Sequence, residues 1–582
     1  MRMTWRIGRP ADWGACLAYL LLALWVAGGL LRDPQGLELS QNASDQTLVE
    51  WFLAYGSRFW DGDHSLLTDR MNAPDGINLL TNAATTGLGV LFGAVTMLFG
   101  APVTFAVLMV LNLAATAFAW YLLFHRVLHA SPIAAGLGGG FCGFAPGMVS
   151  QANSHLHMTA QWLVPAMIWC VVALFRACGE EGARVSRILR PAVAFGLLVV
   201  AQVFIGEEVL FLTAASLAVF TIIYALAARP PWHQVWRFAA GIAIAVGIAV
   251  PLLTYPLWLQ FAGPQSVPNG VFNPDYFSAD LASFPAYSPL SLAGDVSNAS
   301  LSTGPAEYNT FYGAPLILLV LWLVFWLRRS PVAWASVITA LAMSALSLGA
   351  KLVVDRERTE VELPYGWLKD IPVIDGALPM RFALAAIPLI ALLIVLGWDK
   401  AMEEVGPAHW VLPLAIGVAL VPLAPTSLPV RERAPVPVFY AEGHWKRCAE
   451  TGDVIVPVPI ATPSLPGPMR YATASRAAFG MPEGFFIGPY GRDGRATVGT
   501  WKRPTSHLLD EVAKSGVPAP VGDKERIQAG MDFAAWKARC VVLTSHPHRT
   551  ALQTVLEDML GPGEQIADAL VWKIGEPRTS QG

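Results

Sequence analysis

Eleven long apolar runs set the limits on this chain. They fall at 14–31, 104–124, 132–149, 158–175, 191–206, 209–227, 237–256, 313–327, 331–350, 381–398 and 409–425. A helix crosses a bilayer with about 20 such residues. Inside hydrocarbon the backbone must satisfy its own hydrogen bonds, which a helix does within one segment. Only 14% of the residues are charged, against about 25% in soluble domains. The chain therefore reads as an all-α polytopic membrane protein. Its net charge of −3 gives no sign of a nucleic-acid partner. The first run is followed by Arg32-Asp33-Pro34 and no small-residue cleavage site, so it reads as a retained signal-anchor helix.

A further run, 87–100, is short and glycine-rich, and it decides the orientation. If it does not span, Arg126, the arginines of 176–190, Arg229, Arg237, Arg328, Arg329 and Lys400 share a side with Arg2, Arg6 and Arg9. If it spans, Arg126 and the arginine-rich 176–190 loop move to the other side. Basic residues concentrate in cytoplasmic loops, so the first arrangement is expected. It makes 87–100 an interfacial or re-entrant segment. It also implies eleven spans, a cytoplasmic N-terminus, and a first outside loop running from 32 to 103.

Composition changes after Pro425. Residues 426–437 are proline-rich and read as a linker. Beyond them, strand-like runs at 453–459, 540–544 and 569–574 alternate with helical spacing at 506–515 and 549–560. That alternation predicts a small outside α/β domain over 426–582, with the membrane domain over 1–425. The tail contains no nucleophile motif, phosphate loop or metal spacing and reads as a structural or acceptor-guiding cap. Cys448 and Cys540 form either a disulfide or two buried thiols. The other four cysteines sit in or beside apolar helices as filler.

The unusual polar residues collect on the outside. In Ser44-Asp45-Gln46-Thr47-Leu48-Val49-Glu50-Trp51-Phe52-Leu53, the apolar spacing predicts a surface helix. Asp45 stands at its N-terminus, favoured there by the helix dipole, either as a simple cap or as a base. Glu50 lies on the same helix. Asp61, Asp63 and His64 match no specific ligand spacing and read as a turn. A divalent cation is the one cofactor considered, and no cofactor is assigned with certainty. His155 and His157 occupy a short outside link, suited to phosphate contact or to interfacial anchoring. Glu207 and Glu208 interrupt two apolar runs, and carboxylates at membrane depth are costly unless used. Gln202 lies close enough to share their pocket. Glu307 and Arg381 each precede an apolar run, and Arg381 is the expected phosphate partner, since a guanidinium pairs bidentately with phosphoryl oxygens.

This order of features resembles the GT-C superfamily of membrane glycosyltransferases, which use polyprenyl-phosphate sugars. The match lies in the cytoplasmic N-terminus, the large first outside loop with Asp45 near its start, the interfacial 87–100 segment, His155 and His157 in the next outside loop, and the outside tail. Pro74-Asp75-Gly76-Ile77-Asn78-Leu79-Leu80 and Arg381-Phe382 are similar to actinobacterial membrane proteins grouped with this superfamily and with YfhO-like proteins. Asp45-Gln46 stands where several branches carry paired acids. The resemblance implies sugar transfer from a polyprenyl-phosphate donor to an envelope glycan, lipid or protein acceptor, at the outer face of the plasma membrane. Asp45 would be the base, and Arg381 with the histidines would neutralise the phosphate. The competing expectations are a lipid or polysaccharide flippase and a non-catalytic envelope-assembly protein.

Overall fold

The computed structural model describes residues 8–575 except 84, 183, 372, 373, 375 and 405. Arg2 and Arg6, counted above, lie outside the described residues. Eight helices have the length and apolarity to cross a membrane: Pro10–Leu31, Ala101–Val127, Pro132–Gln151, Leu156–Gly179, Val185–Val203, Glu207–Ala228, Trp232–Ala262 and Pro379–Glu403. Three shorter apolar helices, Ala314–Trp326, Pro331–Ser347 and Ala408–Leu423, fall on the remaining runs. Leu318, Leu321 and Phe325 stay more than half exposed, a face suited to lipid rather than water.

Residues 87–100 form two short helices, Thr86–Leu91 and Gly93–Phe99, broken at Phe92. Each covers roughly 10 Å at 1.5 Å per residue, a third of the hydrocarbon thickness. Instead of crossing, they pack on the loop-one helix Ala43–Gly56. The contact depends on missing side chains, because a Cβ on Gly56 would lie 2.8 Å from the Gly89 Cα. The Gly87 amide donates to the Phe204 carbonyl at 2.7 Å, joining loop one to the turn before Glu207.

The tail carries a four-stranded sheet in the order Glu564–Ile566, Ala569–Lys573, Ala538–Leu543, Val454–Val458. The last two strands run parallel and the other pairs antiparallel. Side chains alternate between its faces, as a pleated strand requires. Val456, Val541, Leu543, Leu570 and Trp572 meet the helices Pro504–Ser515, Asp523–Ala535 and Arg549–Leu560. Ile455, Val542 and Val571 belong to a second core with Trp51, Phe52, Tyr55, Met71, Ile77 and Leu79 of loop one. The three expected strands and two expected helices are present. Asp523–Ala535 was not expected; its sequence Asp-Lys-Glu-Arg-Ile-Gln-Ala-Gly has little apolar period. A short helix, Val438–Ala441, also precedes the first strand where none was foreseen. Cys448 and Cys540 are joined in a disulfide, their Cα atoms 6.1 Å apart.

The proline-rich stretch is not a free linker. Val430–Glu432 pairs antiparallel with Leu37–Leu39 at the start of loop one. Arg433 then reaches into the loop, its Nη1 donating to both oxygens of Glu50 at 2.9 Å. Its Nη2 and Nε donate to the carbonyls of Pro34 and Gln35. Both partners are almost fully buried, so removing one strands the other's charge, at a cost of about 3–5 kcal/mol. Arg433→Ala should therefore melt earlier than wild type, and Arg433→Met with Glu50→Gln should recover most of the loss; thermal unfolding in detergent measures both.

Candidate functional site

The polar residues of the site come largely from helix ends that alternate in chain direction. Gln151 closes Pro132–Gln151, and His157 lies in the first turn of Leu156–Gly179. Gln202 nearly ends Val185–Val203, and Glu207 opens Glu207–Ala228. Arg381 stands in the first turn of Pro379–Glu403. Successive helices run in opposite directions, so all of these ends meet at one end of the bundle. Asp45, in the first turn of Ala43–Gly56, is brought there by loop one.

The contacts form one continuous chain. Asp45 Oδ2 lies 3.1 Å from His155 Nε2 and accepts from Asn42 Nδ2 at 2.9 Å. The other ring nitrogen of His155, Nδ1, is 2.8 Å from Gln151 Oε1. Gln151 Nε2 donates to Asn309 Oδ1 at 2.9 Å, and Asn309 Nδ2 donates to Glu307 Oε2 at 2.8 Å. Glu307 Oε1 accepts from Arg381 Nε at 2.9 Å and also from Nη2. Arg381 Nη1 donates to Glu208 Oε2. Gln151, Asn309, Glu307 and Arg381 are all buried, so this network is held rigidly away from bulk water. Asp45, at its far end, keeps 31% of its side chain exposed, enough for a reacting group to reach it.

Burial alone would raise the carboxyl of Asp45. The hydrogen bond and charge of His155, the Asn42 amide and the more distant Arg381 outweigh it and hold the group below its ordinary value. Asp45 is thus kept ionised by neighbours fixed in the fold.

Several expectations change at this level. Glu50 does not join the chain: five residues from Asp45, it sits about 140° around the helix and is committed to Arg433 and Gln46. His155 has both nitrogens engaged, so it positions Asp45 and is not free for phosphate. His157 packs beside it, ring centroids 5.5 Å apart, with Nδ1 buried and unpartnered. Arg381 commits three of its five N–H donors to two carboxylates. Glu207 accepts from Gln260 Nε2 at 2.6 Å. Gln202 donates to the Gly206 carbonyl at 3.2 Å, leaving its own carbonyl oxygen unpartnered. Asp61 and Asp63 are taken by Arg476 and Arg58, and His64 packs edge-on against Phe59. Among the described residues no group of three or more His, Cys, Asp or Glu side chains is arranged to hold a metal ion.

Asn42, Gln151, Asn309 and Gln260 were not foreseen. The first three lie beside residues already named, but an amide carries no spacing that marks it. Gln260 is a lone amide near the end of an apolar helix.

Comparison with known proteins bears on the fold. The family described as "Domain of unknown function (DUF6311)" matches residues 15–421. No curated protein matches the chain. Among solved structures, the arabinofuranosyltransferase AftD from Mycobacteria aligns over 99% of this chain with a TM-score of 0.51 and 14% identity. This chain spans 41% of the AftD chain's length. The oligosaccharyltransferase AglB from Archaeoglobus fulgidus aligns over 92% of this chain and 69% of its own, at TM-score 0.48 and 11% identity. ArnT from Cupriavidus metallidurans aligns over 97% of this chain and 98% of its own, at TM-score 0.45 and 13% identity. With most of its length matched, the chain belongs to the DUF6311 family, and its fold is similar to that of the arabinofuranosyltransferase AftD.

Proposed function

We propose that this protein is a glycosyltransferase that moves a sugar from a polyprenyl-phosphate donor to an envelope glycan, lipid or protein acceptor. The observation that carries this reading is the buried chain from Asp45 through His155, Gln151, Asn309 and Glu307 to Arg381 and Glu208. It links an ionised, reachable carboxylate to a guanidinium at one end of a lipid-facing bundle, in a fold shared with a known arabinofuranosyltransferase.

The chemistry follows from that layout. The polyprenyl tail lies among the helices with its phosphate at the helix ends. The two uncommitted N–H donors of Arg381 and the open Nδ1 of His157 meet the phosphate oxygens, where charge grows as the sugar departs. The acceptor oxygen forms its bond to the anomeric carbon as the carbon–phosphate-oxygen bond breaks, and that electron pair stays on the phosphate. Asp45 takes the acceptor's proton. The hydroxyl becomes acidic only as its new bond forms, so a carboxylate held ionised is a sufficient base. One displacement inverts the anomeric centre, as in other single-displacement sugar chemistry. The site faces outside the cytoplasm, consistent with the distribution of basic loops and with the disulfide of the tail.

The test is transfer by purified protein in lipid discs, offered radiolabelled polyprenyl-phosphate monosaccharides and a membrane extract as acceptor. Transfer from at least one donor is expected. Absence of transfer from every donor would overturn the reading in favour of transport or assembly.

A further inference from the structure

Beside the Arg381 network lies a cavity of about 190 Å³. Its walls come from residues 79–81, 83, 85 and 86 of loop one, the turn 203–208 and Gln260. Glu208 belongs to both sites: its Oε2 holds Arg381, while its Oε1 is buried without a partner. His157, 8% exposed, lines the same cavity with its Nδ1 unpartnered. Opposite stands the Glu207–Gln260 pair, and Thr81 and Thr85 add hydroxyls to the wall, the Thr85 Oγ1 also buried and unpartnered. Buried polar groups left unpaired are destabilising, so three around one cavity call for a polar occupant. A cavity of this size has room for a sugar ring. No Lys or Arg lines it, while two carboxylates do. An acidic group placed there would meet like charge in a poorly solvated space.

We propose, building on the glycosyltransferase reading, that this cavity seats the donor's sugar, that it accepts a ring bearing hydroxyls and no acidic group, and that Glu207 with Gln260 sets this selectivity. Ring hydroxyls donate to Glu208 Oε1 and to Glu207, and accept from the Gln260 amide. The anomeric carbon then points toward Arg381, whose partner Glu208 forms the boundary between the two compartments.

Two donors test this: a polyprenyl-phosphate hexose and the matching hexuronate. Wild type should transfer the hexose at least tenfold faster, in kcat/KM, than the hexuronate. Glu207→Gln keeps the contact to Gln260 but removes one charge, and should narrow the hexose-to-hexuronate ratio about tenfold. A direct arm uses Ala83→Cys, which introduces a thiol into the cavity wall; the hexose donor should slow its alkylation and the bare polyprenyl phosphate should not. Equal transfer of hexose and hexuronate, or an unchanged ratio in Glu207→Gln, would overturn the selectivity. Equal protection by bare polyprenyl phosphate would overturn the seating of the sugar. Protection by the hexose donor without transfer of any sugar would sustain the cavity assignment and overturn the transferase reading instead.

Discussion

Asp45→Asn loses transfer by about 10²- to 10⁴-fold in kcat, the usual contribution of a positioned base, while donor binding stays near wild type. The amide keeps the size of the carboxyl and can still accept from Asn42, so the fold around it is preserved. Equal rates in the two proteins would remove Asp45 from the reaction. The acid side of the wild-type pH profile carries a second readout. His155 and Asn42 hold the Asp45 carboxyl below its ordinary value against the opposing effect of burial. Activity should therefore persist through the ordinary carboxylate range and fall only below it. In His155→Ala the burial effect prevails, Asp45 protonates at higher pH, and the acid limb of kcat/KM moves upward. A purely structural role for His155 would lower the rate without moving that limb.

Arg381→Met has the largest expected effect on the folded state. It leaves Glu307, which is 6% exposed, and Glu208 with no cation. An uncompensated buried charge costs about 3–5 kcal/mol, and here there are two. The variant should unfold well below wild type in a detergent melt and show no transfer. Adding Glu307→Gln and Glu208→Gln removes the stranded charges and should restore much of the melting temperature but none of the activity. If the triple variant stays as unstable as Arg381→Met, packing and not charge is what Arg381 supplies. If the triple variant transfers sugar, the guanidinium is not the phosphate's partner.

Much of this site was legible in the sequence because membranes make polar residues expensive. An Arg, a pair of Glu and two His beside apolar runs stand out, and the basic loops put them on one side. Seven of the nine residues singled out, Asp45, His155, His157, Glu207, Glu208, Glu307 and Arg381, lie in the hydrogen-bonded chain or line the adjacent cavity. What each one does was less visible. Glu50 and Asp45 share a helix and a charge, and only the position of Arg433, 383 residues away from Glu50, separates a structural acid from a candidate base. Arg381 was expected to face a phosphate, and three of its donors are held by Glu307 and Glu208, partners that come from other elements. The same limit applies to 426–437: proline content marks it as irregular, but pairing with Leu37–Leu39 is a long-range fact that no local pattern contains.

Loop one's aromatic face, Trp51, Phe52 and Tyr55, is covered by side chains between Phe439 and Val571. Those partners emerge from the ribosome roughly 385 residues later or more. At 5–20 residues per second, the helix that carries Asp45 waits on the order of 20 to 80 seconds before its other side begins to be built. Until then it has the helices between Thr86 and Leu122 on one side and nothing on the other. A chain cut short before the sheet is made would carry every residue of the polar network and still leave its Asp45 helix unanchored, so the late-made sheet acts as the step that commissions the first loop.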